Sequence, residues 1–451
     1  MKTFDTVILG AGWAGLLYTY KYIKNNKSEN LAIIDKSSKG ELGGLLRSEI
    51  IDGFTFDTGG PHLLFSKDPE ILREILKILG KNSIKHKRNN FIWYDNKFIP
   101  YPFENGMFLL DKEKRFKFSK SVIEKMIYIA KNQEWKPVNF LDWIYGFFGE
   151  EMAKEYLIPY NEKIWKTSLD SIAADWVFTP GRLPFPELDD ILKATAGLPT
   201  TGYKEQAYFY YPKNGGIQSL YNSMLNKILE FKVTLITNEN VRSIKKYNNF
   251  YNINEKITAK KIVNTIPLPE LINLLDGPDC SKNLYEMFDY NSVVIVGIAI
   301  NKKSKNQTTI YVPDPKIIFH RYTWMDKLAK PKNSNESNII AEITIHKNES
   351  IDVKKITEKV IGDFLNMEVI DDEKNVLFTK IWINKYGYPI YTLNHNEIRG
   401  KTFEILNKMG IKSVGRWGSW HYWNTDMVFK AVMQMENEVK YGNIKNKLYN
   451  V

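Results

Sequence analysis

Apolar and polar positions alternate in blocks from the start of the chain. An apolar run, Thr6-Val7-Ile8-Leu9, passes directly into Gly10-Ala11-Gly12-Trp13-Ala14-Gly15, and a helical stretch follows to about Ile23. A second apolar run, Leu31 to Ile34, ends at Asp35. Strand, glycine turn, helix, strand and acid in that order predict the opening βαβ unit of a dinucleotide-binding fold. The first glycine allows a tight turn, the second lets a pyrophosphate approach the backbone, and the third lets the helix pack on the strand, with the phosphates on the helix N-terminus. Asp35 can accept both hydroxyls of an adenosine ribose, and an acid there disfavours a 2'-phosphate.

The pattern next predicts a hairpin, Arg47 to Ile51 and Phe54 to Asp57 around Asp52-Gly53. At Asp68-Pro69 it becomes helical, with Ile71, Ile75, Leu76 and Leu79 as the buried stripe and Gly80 as the stop. Phe91 to Tyr94 and Lys97 to Pro100 form a second hairpin about Asp95-Asn96. From Ser119 to about Ala196 the periodicity is helical, Phe140, Trp143, Ile144 and Phe147 marking one face. Tyr208 to Val241 reads as a return to the nucleotide-binding domain, Gly215-Gly216 opening a helix and Val233 to Ile236 a strand; Lys261 to Pro267 is another strand and turn. Segments 292–300, 308–312, 338–346 and 376–384 are β-rich and imply a separate, largely antiparallel sheet. A terminal helix follows, capped at Asn424 or Thr425, with Val428, Val432, Met435 and Val439 inward.

The expected class is therefore α/β: a Rossmann-like dinucleotide-binding domain with an inserted helical domain and a largely antiparallel β-sheet domain. The nucleotide-binding domain is discontinuous, 1–66, 206–270 and 405–451. The helical domain takes 67–88 and 106–205, and the sheet domain 89–105 and 271–404, the latter holding substrate. At 451 residues the chain suits such interleaved domains.

Composition narrows the setting. No apolar run is long enough to span a bilayer, and a strand begins too near the start to leave room for a signal peptide. One cysteine, Cys280, excludes an intramolecular disulfide and points to a reducing cytosol, so a cytoplasmic location is expected. The net charge of +11 comes from lysines spread along the chain, which reads as solvated surface and not as a nucleic-acid stripe, although such a field would draw in an anionic small substrate. Arginine is confined to nine positions, where its planar fork can grip phosphate in a bidentate way. The six histidines show no ligand spacing, and no metal is expected.

A nicotinamide enzyme has no need of a second glycine pair after the ribose-binding acid. This chain has Gly43-Gly44, and its hairpin then delivers Gly59-Gly60-Pro61-His62 back toward the cofactor. That layout resembles the flavoprotein superfamily of amine oxidases, protoporphyrinogen oxidases, carotenoid desaturases and UDP-galactopyranose mutases, and implies non-covalent FAD. Further strings narrow it: Ile99 to Asn105, Pro159-Tyr160-Asn161-Glu162-Lys163-Ile164-Trp165, Gly181-Arg182-Leu183, Phe319-His320-Arg321, Gly387-Tyr388-Pro389, and Gly415 to Tyr422 with Asn424 and Asp426. In that order they resemble UDP-galactopyranose mutases over nearly the whole chain, closer to the eukaryotic-type branch.

The resemblance implies a redox-neutral isomerase of a nucleotide sugar. N5 of reduced FAD attacks the anomeric carbon and expels UDP; the flavin-sugar adduct opens as an iminium and recloses as the other ring size, and UDP returns. It implies Arg182 and Arg321 as clamps on the diphosphate and His62 beside the flavin as the catalytic set. Tyr101 and Phe103 are implied for the uracil, Tyr388 and Tyr422 for the phosphates, and Asn161, Trp165 and Gln206 for the rest of the substrate pocket. Against the cofactor it places Gly10, Gly12, Trp13, Ala14, Gly15, Asp35, Gly43, Gly44, Leu45, Gly60, His62, Val241, Arg416, Asn424 and Thr425.

Two departures stand out. Glu162 replaces the aromatic residue usual in the eukaryotic-type motif, and Pro61 gives the flavin-facing loop a form nearer the bacterial pattern. The chain is also shorter than eukaryotic members, so reduction by NADPH does not carry over. Two other classes share parts of the pattern: an FAD-dependent oxidase or desaturase, though many amine oxidases have arginine where Leu45 follows the glycine pair, and a catalytically inactive nucleotide-sugar binding protein.

Overall fold

The computed structural model describes residues 1–26, 28–132, 135–179, 187–200, 207–276 and 282–435. β1 (Lys2–Leu9) ends in the fully buried Val7, Ile8 and Leu9 and breaks at Gly10. α1 (Trp13–Asn25) follows, and β2 (Leu31–Ile34), buried throughout, pairs parallel with β1. β3 (Ser48–Ile51) and β4 (Phe54–Asp57) form the first hairpin, with positive φ at both turn residues, Asp52 at 51° and Gly53 at 90°, the combination of a type I′ turn.

α2 (Pro69–Leu79) is capped by Asp68, whose carboxylate accepts the N–H of Glu70 at 3.0 Å and of Ile71 at 3.3 Å. β5 (Ser83–Lys87) leads to the second hairpin, β6 (Asn90–Tyr94) and β7 (Lys97–Pro100). Then come the helices α3 (Phe103–Gly106), α4 (Lys112–Lys131), α5 (Phe140–Met152), α6 (Ile158–Trp165) and α7 (Leu188–Thr195). On α5 the expected inward face is corrected at one position: Phe140, Trp143 and Ile144 are buried, but Phe147 is exposed and Phe148 faces in. Phe147 still packs on Trp143 one turn earlier, ring centroids 4.9 Å apart, but lies at the rim of the face, and the helix is interrupted just beyond, at Gly149 (φ 72°).

β8 (Tyr208–Pro212) pairs antiparallel with β5 and takes no place in the nucleotide sheet, contrary to the reading of Tyr208 onward as a direct return to it. α8 (Gln218–Leu229) and β9 (Val233–Ile236) do return, β9 lying parallel to β2. β10 (Ile244–Lys246), β11 (Tyr251–Ile253) and β12 (Ile257–Asn264) extend the sheet on the other side, where β12 is parallel to β1. α9 (Leu268–Leu274) is followed by β13 (Leu275–Asp276), which pairs with β10, and by α10 (Lys282–Glu286).

The second sheet comes from β14 (Tyr290–Ile300), β15 (Thr309–Tyr311), β16 (Arg321–Trp324), β17 (Ser337–His346) and, after α11 (Val353–Asn366), β18 (Val376–Pro389). Its order is β18-β14-β17-β16-β15-β6-β7, antiparallel except where β15 meets β6. All eleven residues of β14 are buried, and each large aliphatic among them contributes about 1.5–3 kcal/mol. α12 (His395–Met409) leads to β19 (Lys412–Ser413), parallel to β12, then to α13 (Gly415–Gly418) and α14 (Thr425–Gln434). Val428 and Val432 are the buried residues of the predicted α14 stripe; the helix stops at Gln434, so Met435 follows it, and Val439 lies outside the described residues.

The nucleotide sheet reads β13-β10-β11-β12-β1-β2-β9. The turns after β1, β2 and β12 meet at its carboxyl edge: Gly10 donates to the Ile34 carbonyl at 2.8 Å and Thr265 to that of Leu9 at 3.0 Å. Ligands of doubly wound sheets bind at this edge.

Candidate active site

The three glycines after β1 have three different surroundings. Gly10 has φ +96°, and a Cβ there would stand 2.8 Å from Thr265 Oγ1. At Gly15 a Cβ would be 2.1 Å from the Gly10 carbonyl oxygen, so only glycine lets α1 pack on its own entry turn. A Cβ at Gly12 meets nothing within 4 Å. Gly12 is the N-cap of α1, and this is the open space that a pyrophosphate on a helix N-terminus requires. Asp35 follows β2 and accepts from Ala11 N–H at 2.7 Å and Ser37 N–H at 2.8 Å, bracing the glycine turn. Gly44, at φ +57°, stands opposite: its Cβ would lie 3.7 Å from Gly12 Cα. The chemistry of this cradle fits a dinucleotide.

Trp13 and Ala14 carry the first turn of α1 toward the C-terminal segment. The Trp13 indole donates to the Thr425 carbonyl at 3.3 Å, and Gly415 lies so close that a Cβ there would be 2.4 Å from that of Ala14. Val241 is half-buried two residues past Glu239, whose N–H bonds the Asp35 carbonyl at 3.1 Å.

A cavity lies against the second sheet, and Thr425 on its wall accepts from the Trp13 indole at the start of α1. The loop after β4 lines it with Gly60, Pro61 and His62, beside Leu45 from the glycine-pair loop. Tyr101, Arg321, Tyr388, Arg416, Tyr422, Asn424 and Thr425 form much of the remaining wall. Gly43, by contrast, turns back on its own loop, with a Cβ there 3.3 Å from Arg47. A shallower groove of about 590 Å³ on the outer side of α2, between Leu72, Leu76 and Tyr210, has no such constellation.

The polar wall follows from strand alternation. Thr309 and Tyr311 on β15 face Thr323 and Arg321 on β16 as cross-strand pairs, and all four side chains reach the cavity. Arg321 is in turn opposite Glu342 on β17, and the two form a fork: Nε donates to Oε1 at 2.5 Å and Nη2 to Oε2 at 2.7 Å. Glu342 is almost wholly buried and underlies Gly60, whose Cβ would lie 2.8 Å from Oε2. Burial disfavours the Arg321 charge, but Glu342 more than offsets it and the guanidinium is held above its ordinary pKa.

Arg416 donates to the carbonyls of Trp423 at 3.1 Å and Gly387 at 2.6 Å, and its guanidinium lies 4.5 Å from the Tyr422 ring. Tyr422 meets Tyr388 edge-on at 4.9 Å. Burial and then the neighbouring Tyr422 raise the Tyr388 phenol, which keeps its proton available to donate. Behind them the Tyr391 hydroxyl accepts the Tyr422 N–H at 2.8 Å and meets His421 Nδ1 at 3.1 Å. Burial and then Arg399 depress the His421 pKa well below its usual value, so the ring is neutral.

Several expected substrate contacts sit elsewhere. Phe103 is in the helical core, stacked on Tyr156 at 4.4 Å with Tyr94 at its edge, while Tyr101 is on the cavity wall, stacked on Tyr311 at 4.4 Å. Trp165 is 1% exposed and packs behind the wall against Trp176, Tyr388 and Tyr422. Asn161 is buried, its amide bonded to the Leu157 carbonyl at 2.8 Å. Arg182 and Gln206 lie outside the described residues. Glu162 is exposed on α6 and forms no part of the cavity wall, whereas Pro61 does.

The structure adds Glu342, Tyr311, Arg88, Asn90 and Asn384 to the site. Glu342 left a trace in the sequence as the one acid within Ile339-Ile340-Ala341-Glu342-Ile343. Arg88, set against the rings of Phe65 and Phe209 at 5.4 and 5.7 Å, is among the rare arginines but belongs to none of the strings. Lys163, between Asn161 and Trp165, is buried and donates to the carbonyls of Val312 at 2.9 Å and Asp314 at 2.8 Å, pinning the loop between Tyr311 and Arg321 to α6. Among the described residues no group of three or more His, Cys, Asp or Glu is placed to hold a metal ion, and no helix is long and apolar enough to cross a membrane.

Residues 8–79 match the family model of the NAD(P)-binding Rossmann-like domain. Over its length the chain is similar to a solved structure of reduced UDP-galactopyranose mutase, with TM-score 0.84 and 22% identity over 95% of this chain and 92% of that one. It is also similar to a candidate protoporphyrinogen oxidase of Exiguobacterium sp. 255-15, with TM-score 0.70 and 16% identity over 95% and 98% of the two chains. A redesigned putrescine oxidase aligns with TM-score 0.63 and 13% identity over 96% and 97%. Identities this low establish the fold, one shared by a mutase and by oxidases.

Proposed function

We propose that the protein binds FAD non-covalently and, with the flavin reduced, interconverts the pyranose and furanose forms of UDP-galactose or a closely related UDP-hexose without net oxidation. The observation that carries this reading is the convergence on one cavity of Leu45, Gly60 and His62 with the anion donors Arg321, Tyr388, Tyr422 and Arg416. The likeness to reduced UDP-galactopyranose mutase supports it.

A reduced flavin held in the cradle would supply N5 as a nucleophile toward the anomeric carbon. The protein's own contribution is then electrostatic. As the diphosphate departs, negative charge collects on its oxygens, and donors already aimed there lower the barrier. Tyr388 and Tyr422 supply hydroxyl protons. Arg321 has two of its N–H groups committed to Glu342, leaving the rest of its five donors for phosphate oxygens. The pair carries no net charge, so the neutralising charge comes from the other arginines. Arg416 is one on the wall, and Arg182 is retained as the second clamp on the resemblance alone. Tyr101 with Tyr311 offers the aromatic surface for uracil.

The test is incubation with UDP-galactofuranose with and without dithionite, followed by chromatography of the nucleotide sugars. Conversion under reducing conditions is expected. No conversion, or flavin bleaching by an amine or porphyrinogen with peroxide formed in air, overturns the reading, the latter in favour of an oxidase.

A further inference from the structure

α4 is apolar on two sides. Phe118 and Val122 face inward, and the helix packs along α5 and α7. Phe116, Ile123 and Ile127 are spaced by seven and four, which places them in line along one stripe of the helix surface, roughly 140° from the buried one. They are 68%, 43% and 49% exposed, and Met126 and Tyr128 widen the apolar surface. Exposed apolar side chains also occur on both neighbouring helices, Phe147 of α5 and Leu188 and Leu192 of α7. A solvent-facing line of this kind is unusual without something to cover it.

The charge around it indicates what does. α4 carries six lysines and Arg115 against Glu113 and Glu124, a concentration that the even spread of lysine along the whole chain conceals. Lys112, Lys117, Lys120 and Lys131 are exposed beside the apolar line. Lys114 turns to Asp95 and Glu155, at 3.4 and 3.6 Å, and Glu124 lies 3.7 Å from Lys120 across exposed surface, so the exposed lysines keep most of this charge. A second copy laid with α4 against α4 would bring two strongly basic helices together. An anionic lipid surface accepts both features at once, the aromatic and aliphatic groups entering the acyl boundary and the lysines meeting headgroups.

We infer that α4 is a docking helix that holds the protein reversibly on an anionic membrane surface. This is peripheral binding, α4 lying on the surface without crossing the bilayer, and it is independent of the reaction proposed above.

The test is vesicle flotation of the full-length protein, with phosphatidylserine-containing vesicles set against pure phosphatidylcholine at low and at physiological salt. Flotation with the anionic vesicles that weakens with salt is expected. F116S/I123S/I127S removes the apolar line and K112E/K117E/K120E reverses the charge. All six positions are exposed, so melting temperature and flavin content are expected to be unchanged. Each triple variant should bind the anionic vesicles about tenfold more weakly or worse. Equal flotation on both vesicle types, or none, overturns the inference. So does a loss of self-association in F116S/I123S/I127S by sedimentation velocity with no vesicle binding by the parent, which would assign the face to a contact between copies.

Discussion

Arg321 and Glu342 face each other across β16 and β17 as a two-pronged ion pair, with the carboxylate buried under Gly60 of the loop that leads to His62. The Glu342 carboxylate thus joins the Arg321 guanidinium on the cavity wall to the backbone of the Gly60 loop. An arginine fixed at both prongs is oriented before ligand arrives, which is the condition for donors to act without reorganising.

The pair separates structure from chemistry. Arg321→Met strands a buried carboxylate and should lower stability in urea unfolding by about 3–5 kcal/mol. Arg321→Met combined with Glu342→Met removes both charges and should regain most of that loss, yet remain inactive toward the nucleotide sugar. A double variant as unstable as the single one would show that the pair is not an isolated unit.

The glycine turn makes a second contrast. Gly15→Ala drives a Cβ into the Gly10 carbonyl and should yield protein with a lowered melting temperature or none at all. Gly12→Ala meets no protein atom, so the flavin-free protein should melt within about 1 kcal/mol of the parent, allowing for ordinary Gly→Ala backbone effects. Its flavin absorbance per chain should fall sharply, because the methyl group fills the space expected for the pyrophosphate.

Asp57 gives a pH-dependent prediction. It is fully buried between Ser48, Tyr211 and the Ile217 N–H, and burial lifts its pKa to about 6 against the pull of those three donors. The folded protein therefore holds this proton more tightly than the unfolded chain does. The associated stability is complete below about pH 4 and is lost as pH rises through 6, amounting to about 3 kcal/mol. Asp57→Asn should abolish that contribution, seen as a stability difference from the parent that changes between pH 4 and 7.

Lys163 works in the opposite window. Burial brings its amine down to about 7, with Asp314 opposing and Lys166 assisting. Between pH 7 and 10 the unfolded chain keeps a proton that the folded protein sheds, so this group makes stability rise with pH there. Lys163→Met should flatten the rise. It also frees the 312–314 loop between Tyr311 and Arg321, and KM for the nucleotide sugar should increase about tenfold while flavin content is retained.

The nucleotide-binding half was legible in the sequence because its signals are local. Gly10, Gly12 and Gly15, the acid at Asp35 and the type I′ turn at Asp52-Gly53 each follow from backbone geometry within a few residues. β-rich segments likewise marked strands of the second sheet, whose inner strand β14 is buried along its whole length. Neither pattern encodes which strand lies beside which. Only the tertiary structure decided that β8 pairs with β5, that Glu342 stands opposite Arg321, and that Lys163 on α6 reaches the Val312 and Asp314 carbonyls of a distant loop. It also decided that Phe103 and Trp165 are core while Tyr101 and Tyr311 form wall. An aromatic side chain has the same apolar drive to be buried in either place, and the choice is made by neighbours on other elements, Tyr156 for Phe103, Tyr388 and Tyr422 for Trp165, and Tyr311 for Tyr101.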